Sequence, residues 1–168
     1  VGDGIGATRL MFTGTGDGIY SAYPINSSTA AWNQIKNLEI YSANASNTGG
    51  GYVDVGGTYV YLENVYVNGF KYGVIFDQTE LADIDLCNFG NNITGGVWLV
   101  NGAAHTVGAL GVFTNRISVN RCQFNNSSTS YGIIDDGGYS HSFDSNNFNH
   151  CYTALRSAGT QGLSITNN

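Results

Sequence analysis

A hydrophobic triplet with fixed spacing recurs along the chain and organises the rest of the pattern. Its second and third members follow the first by three and five residues, as in Ile35, Leu38 and Ile40. Later copies begin at Leu62, Ile84, Val119, Phe143 and Ile165, at intervals of 22 to 35 residues. A period of this length is typical of structures that stack one repeat on the next. The spacing therefore predicts one coil of chain per interval.

A second short strand is predicted after each triplet, where a small residue precedes a β-branched or apolar run. These runs lie at 52–55, 73–76, 96–99 and 132–134, with a weaker copy near 153–155. Helical periodicity is absent over any useful length, and 24 glycines with the single Pro24 favour strands and turns. We therefore predict an all-β chain, a right-handed parallel β-helix (a solenoid) of about six coils, with strands about 4.8 Å apart.

Two residues between the first and second triplet members break the in-and-out alternation, so the chain is expected to bend there. The first of the two is polar in every copy; the pairs begin at Lys36, Glu63, Asp85, Asn120, Asp144 and Thr166. The middle triplet position puts Cys87 next to Cys122, with Asn146 and Asn168 continuing the same inward column. Stacked asparagines of this kind satisfy their buried amides along the stack.

Composition narrows the functional classes. A single β-helix domain is predicted over 1–168, and because neither end offers a cap we expect it to be incomplete at both ends, part of a longer chain. A net charge of −6 with only six basic residues argues against nucleic acid. No apolar run is long enough for membrane insertion. Three cysteines without Cys-x-x-Cys spacing predict free thiols and no zinc site. We also predict no cofactor.

Several segments resemble the pectate-lyase-like β-helix superfamily, and within it the tailspike and tail-fibre proteins of bacterial viruses. They are 35–40, 62–67, the Gly-Phe-Lys-Tyr-Gly-Val run at 69–74 and the two copies ending in Cys-x-Phe. The resemblance covers residues 33–168 and implies a homotrimer, on a virion tail and extracellular, that binds and often cleaves a host-surface polysaccharide. The Asp-Asp and Gly-His-Gly pair of polygalacturonases and the Trp-x-Asp-His signature of pectate lyases are absent. The resemblance therefore supplies no catalytic residue.

Carboxylates in the bend column are the first catalytic candidates, because glycoside cleavage uses two of them. Glu63 and Asp85 occupy this column in adjacent coils, about 4.8 Å apart by strand spacing. Asp144 is expected two coils from Asp85. The alternative is that these acids are merely solvated and that Lys36 pairs with Glu63.

Acids on the second strand are another candidate set. Asp54, Asp77 and Asp136 are expected to be exposed on one face, as a catalytic or cation-binding groove or as ordinary surface acids. We take Asp77 and Asp136 as the catalytic candidates here and predict no metal site. Neighbouring Asp135 should point inward and pair with Arg156.

Apolar and loop residues supply the binding candidates. Ile75, Trp98 and Ile134 are expected to point at water, as a trimer contact or with Trp98 as a platform for a sugar ring, helped by Tyr139. His105 lies in the longest insertion, where recognition or acid–base chemistry is one interpretation and a solvated loop histidine the other.

Three functions are compatible with the pattern. The leading hypothesis is a bacteriophage tail β-helix that recognises a host polysaccharide and, if its carboxylates are catalytic, depolymerises it. The alternatives are a non-catalytic shaft of a fibre and a secreted monomeric polysaccharide lyase or epimerase. Whether the protein is an enzyme stays open; an enzyme of this type would be a glycoside hydrolase or a lyase.

Overall fold

The chain folds as parallel β structure. A computed structural model describes residues 2–4, 7–23, 32–100 and 114–168. Within these ranges there is no helix, and every pairing between strands is parallel. The prediction of an all-β chain with parallel strands is confirmed.

The described strands form two sheets, which we call the large sheet and the small sheet. The large sheet contains β1 (Arg9–Phe12), β3 (Trp32–Ser42), β5 (Tyr59–Asn68), β7 (Glu80–Asp85), β8 (Asn88–Gly90), β10 (Asn115–Asn120), β11 (Gln123–Asn125), β13 (Ser142–Asp144), β14 (Asn147–Asn149) and β16 (Ser164–Thr166). The small sheet contains β2 (Ile19–Ala22), β4 (Gly50–Val55), β6 (Tyr72–Asp77), β9 (Gly95–Val100), β12 (Tyr131–Asp135) and β15 (Thr153–Ser157). Successive visits of the chain to either sheet add neighbouring strands.

The strand register follows the triplet spacing. Ile35 lies opposite Leu62, and Leu62 lies opposite Ile84. The third members Phe89, Phe124 and Phe148 form a stack with ring centroids 5.0 and 4.8 Å apart. Residues some two dozen apart in sequence are thus direct neighbours between strands, as the spacing predicts.

The predicted bend is present in every copy of the triplet. Its second residue has a left-handed backbone, with φ between 52° and 56°, at Asn37, Asn64, Leu86, Arg121, Ser145 and Asn167. This conformation turns the chain and is costly for most side chains, though asparagine tolerates it. In the later copies the bend divides one long strand into two, such as β7 and β8.

The core lies between the two sheets and is organised in columns. Cys87 and Cys122 are buried free thiols, as predicted. The expected asparagine ladder is also present, because Asn146 Nδ2 donates to Asn168 Oδ1 at 2.9 Å. Glycines near the start of β6, β9 and β12 make room for the phenylalanine stack: a side chain at Gly96 would come within 2.5 Å of the Phe124 ring.

Candidate functional site

The outer face of the large sheet carries the side chains that alternate with the buried triplet residues. The residues one and three positions before the first triplet member point away from the core, because successive side chains on a strand face opposite sides. The nearer of these two columns contains Gln34, Tyr61, Asp83, Ser118, Ser142 and Ser164, each opposite the next. A continuous polar surface therefore crosses the sheet on a rigid support.

An aromatic shelf opens the farther column. Trp32 and Tyr59 lie opposite each other on β3 and β5, and their rings stack at a centroid distance of 4.6 Å with 16° between the planes. Trp32 is 77% exposed, so one of the largest apolar side chains of the protein faces solvent. An exposed aromatic on a rigid strand is typical of a surface that meets a partner.

A groove runs from the aromatic shelf across the large sheet. Its first part, of about 470 Å³, is lined by Trp32, Tyr59 and Arg116 among others. Its second part, of about 550 Å³, extends to Asp144. Tyr61 and Asp83 line both parts, so we treat them as one feature, the outer groove. The lining residues come from β3, β5, β7, β10, β13 and β16, and six strands at about 4.8 Å spacing give a length of about 24 Å.

Two ion pairs neutralise Glu63 and Asp85 in the bend column. Lys36 Nζ lies 2.7 Å from Glu63 Oε2 and 4.5 Å from the centre of the Tyr61 ring. The guanidinium of Arg121 binds both carboxylate oxygens of Asp85. The interpretation that Lys36 pairs with Glu63 is confirmed, and both cations are occupied by acids of the protein itself.

Two carboxylates in the outer groove have no such partner. Within the described part of the chain, no lysine or arginine forms an ion pair with Asp83 or Asp144. Asp83 is exposed at the middle of the groove. Hydrogen bonds from Thr166, Ser145 and Asn167 hold the pKa of Asp144 below its ordinary value. The groove therefore presents an aromatic end and an acidic middle and far end.

The candidates in the bend column lie where the spacing places them. Glu63 is directly opposite Asp85, and Asn120 separates Asp85 from Asp144. Asp85 lines the groove, and Glu63 is its neighbour in the same column. Their catalytic role stays a prediction.

The expectation of three exposed acids on one face of the small sheet is wrong. Asp54 and Asp77 are fully buried. Asp54 lies opposite Phe76 and points inward, where Thr79 Oγ1 donates to it at 2.7 Å and Gly57 N at 3.0 Å. Burial raises the pKa of Asp54 despite these hydrogen bonds. Asp54 therefore lies on the opposite face from the one expected. Asp77, which pairs with Val55 and Val100, lies on the outer face and is buried there.

Asp135 points inward, as expected, but its partner was predicted wrongly. His141 Nδ1 lies 3.3 Å from Asp135 Oδ1, and Thr160 Oγ1 donates to Oδ2 at 2.6 Å. Burial opposes ionisation of Asp135, yet its partners, His141 foremost, hold its pKa below the ordinary value. Arg156 binds Asp136 instead. Arg156 and Asp136 both lie on the outer face of the small sheet, so Arg156 cannot reach Asp135, which points inward.

The apolar residues on the outer face of the small sheet are not the exposed patch that was expected. Ile75 and Ile134 are buried, with exposed fractions of 1% and 3%. Trp98 is half-buried: its ring lies 4.5 Å from that of Tyr72, and its indole N–H donates to Asp136 at 2.7 Å. The contacts of Trp98 are thus largely internal.

The remaining binding candidates lie elsewhere. Tyr139 is exposed and forms isolated parallel bridges with Asn115 and Gln161. His105 falls outside the described residues.

Sequence reasoning missed Trp32, Tyr59, Tyr61 and Asp83, although a signal for them was present. All four stand one or three residues before the first member of a triplet, at outward positions of the same strand. Extending the alternation backwards from each triplet would have found them.

Comparison with protein-family models, curated proteins and solved structures finds no match to this chain. The described residues contain no group of three or more His, Cys, Asp or Glu side chains that could hold a metal ion. They also contain no helix with the length and apolar character needed to cross a bilayer.

Proposed function

We propose that this chain is a right-handed parallel β-helix from the tail of a bacterial virus, and that its outer groove binds a polysaccharide of the host surface. The observation that carries the proposal is the exposed Trp32–Tyr59 stack at one end of a polar groove. The fold assignment is supported by the alternation of the chain between two parallel sheets. Crossovers between parallel strands are right-handed in nearly all proteins.

The chemistry of the groove suits a carbohydrate. A sugar ring has an apolar face that packs on aromatic rings, and hydroxyl groups around its edge that need donors and acceptors. Trp32 and Tyr59 offer the flat surface, and Gln34 and Ser118 line the adjoining groove with polar groups. A single surface therefore meets both requirements of a sugar.

The shape of the groove suits a polymer better than a small molecule. It is open, and it crosses six strands over about 24 Å, which is enough for a short run of linked sugar rings. Small-molecule sites, by contrast, usually enclose most of the ligand. Strands rather than loops supply most of the lining, so the surface is preorganised for a long ligand.

Cleavage would need two acids at a suitable separation. Asp83 and Asp85 point to the same face two residues apart on β7, so their Cα atoms are separated by roughly 6.6 Å, the rise of two residues of a parallel strand. The two carboxyl groups of inverting glycosidases are about 6.5 to 9.5 Å apart. Asp85, however, is held by Arg121, and so binding is the function we propose and cleavage is left to the experiment.

The test is a binding assay of the purified protein on an array of bacterial O-antigens and capsular polysaccharides. We expect at least one polysaccharide to bind, and the Trp32→Ala/Tyr59→Ala variant to bind it at least tenfold more weakly. Tyr152→Ala is the matched control, because Tyr152 is a comparably exposed aromatic at 73% that does not line the groove. No binding at all, or binding that only Tyr152→Ala removes, would overturn the proposal.

Two further readouts separate this function from its alternatives. Release of reducing ends or unsaturated sugars, lost in Asp83→Asn, would add cleavage to binding and exclude a passive shaft. Sedimentation should give a trimer, as expected for a viral tail protein. A monomer would favour a secreted lyase or epimerase.

A further inference from the structure

The charges that line the outer groove are not balanced. Lys36 and Arg121 are occupied by Glu63 and Asp85, so neither is available to an acidic ligand without breaking an ion pair. Within the described part of the chain, the charged groove residues that form no ion pair, and that a ligand can therefore contact directly, are Asp83, Asp144 and Arg116.

The position of these three charges matters as much as their number. Asp83 lies where the two parts of the groove meet, directly opposite Tyr61 in the neighbouring strand. Asp144 lies on β13 in the far part, and Arg116 lies on β10, the strand between β7 and β13. A polymer that stacks on Trp32 and follows the groove across the strands therefore passes Asp83 first, then Arg116 and then Asp144.

Asp144 keeps its charge over a wide range of pH. Ser145 Oγ and Asn167 Nδ2 donate to its carboxylate at 3.0 and 3.1 Å, and Thr166 Oγ1 donates as well. These hydrogen bonds lower the pKa of Asp144, so acidification does not readily remove its negative charge. The chain as a whole carries a net charge of −6, which adds a general repulsion of anions.

We propose that the outer groove selects neutral polysaccharides and excludes those rich in uronic or other acidic sugars, with Asp83 and Asp144 as the specificity-determining residues. This proposal rests on the polysaccharide-binding function proposed above. A sugar carboxylate about 5 Å from Asp83 is disfavoured about fourfold even with the screening of bulk water, and more where the ligand displaces water. If the ligand brings a carboxylate close to both Asp83 and Asp144, the two factors multiply.

The experiment compares acidic polysaccharides with their neutral counterparts on the same array. Each acidic capsule or O-antigen is printed in its native form and after chemical reduction of its carboxyl groups to alcohols, so that backbone and linkage stay the same. We expect the bound members to be neutral or reduced, with at least tenfold weaker binding of the native acidic forms at low salt. The preference should shrink as salt screens the charges.

Substitutions assign the preference to residues. Asp83→Asn and Asp144→Asn should each lower the preference for the reduced over the native acidic form of the same polysaccharide about fourfold or more. Asp3→Asn is the control, because it changes the net charge equally at an exposed position outside the groove.

The outcomes distinguish the two proposals. If native acidic forms bind as tightly as reduced ones, and Trp32→Ala still removes the binding, the neutral preference is wrong and the polysaccharide site stands. If the preference is present but Asp3→Asn relaxes it as much as Asp83→Asn does, the assignment to the groove residues is wrong. If no polysaccharide of either kind binds, both proposals fall.

Discussion

The outer faces of the two sheets are built by the same alternation of side chains but have opposite character. On the large sheet the residues that line the outer groove are mostly polar or aromatic, and Trp32 among them is 77% exposed. On the small sheet they form a second apolar cluster of Val53, Val55, Ile75 and Val100, all buried. Alternation therefore tells which side chains leave the core between the sheets, but not whether they then meet water.

This difference separates a face suited to binding from a face that contributes to stability. Each face carries one of the two tryptophans of the chain. Trp32 stacks on one neighbour and is otherwise open, whereas Trp98 stacks on Tyr72 and gives its indole N–H to Asp136. The following predictions use matched substitutions on the two faces.

Introducing a carboxylate should give the largest difference in stability between the two outer faces. Ile75→Asp places a carboxylate among Val53, Val55 and Val100, and should lower the free energy of unfolding by at least about 4 kcal/mol or prevent folding. Gln34→Asp, at an exposed position of the large sheet, should change it by less than about 0.5 kcal/mol. Urea denaturation measures both. Equal effects would show that the two faces do not differ in burial.

Truncation of the tryptophans should separate stability from binding. Trp98→Ala removes a ring contact and a hydrogen bond and should cost about 3 kcal/mol of stability while leaving polysaccharide affinity unchanged. Trp32→Ala should cost less than about 1 kcal/mol of stability but weaken binding at least tenfold. Thermal unfolding and the polysaccharide array provide the two readouts. A loss of binding in folded Trp98→Ala would restore the prediction that Trp98 is a sugar platform.

A carboxylate on the inner side of the small sheet is stable in its ionised form only where its neighbouring groups outweigh the cost of burial. The pH dependence of stability should show this difference between Asp135 and Asp54. The lowered pKa of Asp135 means that its ionised form stabilises the fold above the ordinary value of 3.8, and that this contribution is lost as pH falls toward the lowered pKa. Asp135→Asn should therefore cost about 2 kcal/mol at pH 7 and progressively less in acid.

Asp54 is the matched comparison for that prediction. Its pKa is raised, so the folded state favours the protonated acid, and stability is lost as pH rises through the raised value. Asp54→Asn mimics the protonated form and should cost less at pH 7 than Asp135→Asn. Urea denaturation at pH 7 and pH 3 tests both; the reverse order at pH 7 would contradict the assigned pKa directions.

The smallest expected effect is a gain at the bend of the large sheet. Leu86 is 47% exposed and has φ of 54°, a conformation that asparagine adopts more easily than leucine. Leu86→Asn should raise the free energy of unfolding by about 0.5 to 1 kcal/mol. Ile93→Asn, a comparably exposed position without a left-handed backbone, is the control and should show no gain.

The parts of the fold that depend on spacing alone were predictable from the sequence. The triplet spacing predicted which residues lie opposite each other, the presence of a bend inside each triplet and the contact of Asn146 with Asn168. These features repeat in several copies of the triplet, so an error in one copy does not change the predicted register.

The features that depend on one particular neighbour were not predictable. Asp54 is inside because Thr79 and the backbone of Gly57 meet it there, and no pattern in its own strand indicates those partners. Asp135 takes His141 rather than Arg156 for the same reason. The alternation of side chains could have predicted that the groove residues point outward. It could not predict which sheet has a solvent-exposed outer face, because the burial of Ile75 depends on contacts from outside its own strand.

The two tryptophans allow one direct test of the central claim, that a polysaccharide occupies the outer face of the large sheet. Trp98→Phe leaves Trp32 as the sole indole fluorophore, and Trp32→Phe leaves Trp98. On addition of a polysaccharide identified on the array, the emission of Trp32 should shift to the blue and its quenching by iodide should fall, while that of Trp98 stays unchanged. A response from Trp98 alone, or from neither indole while the polysaccharide is bound, would contradict the claim.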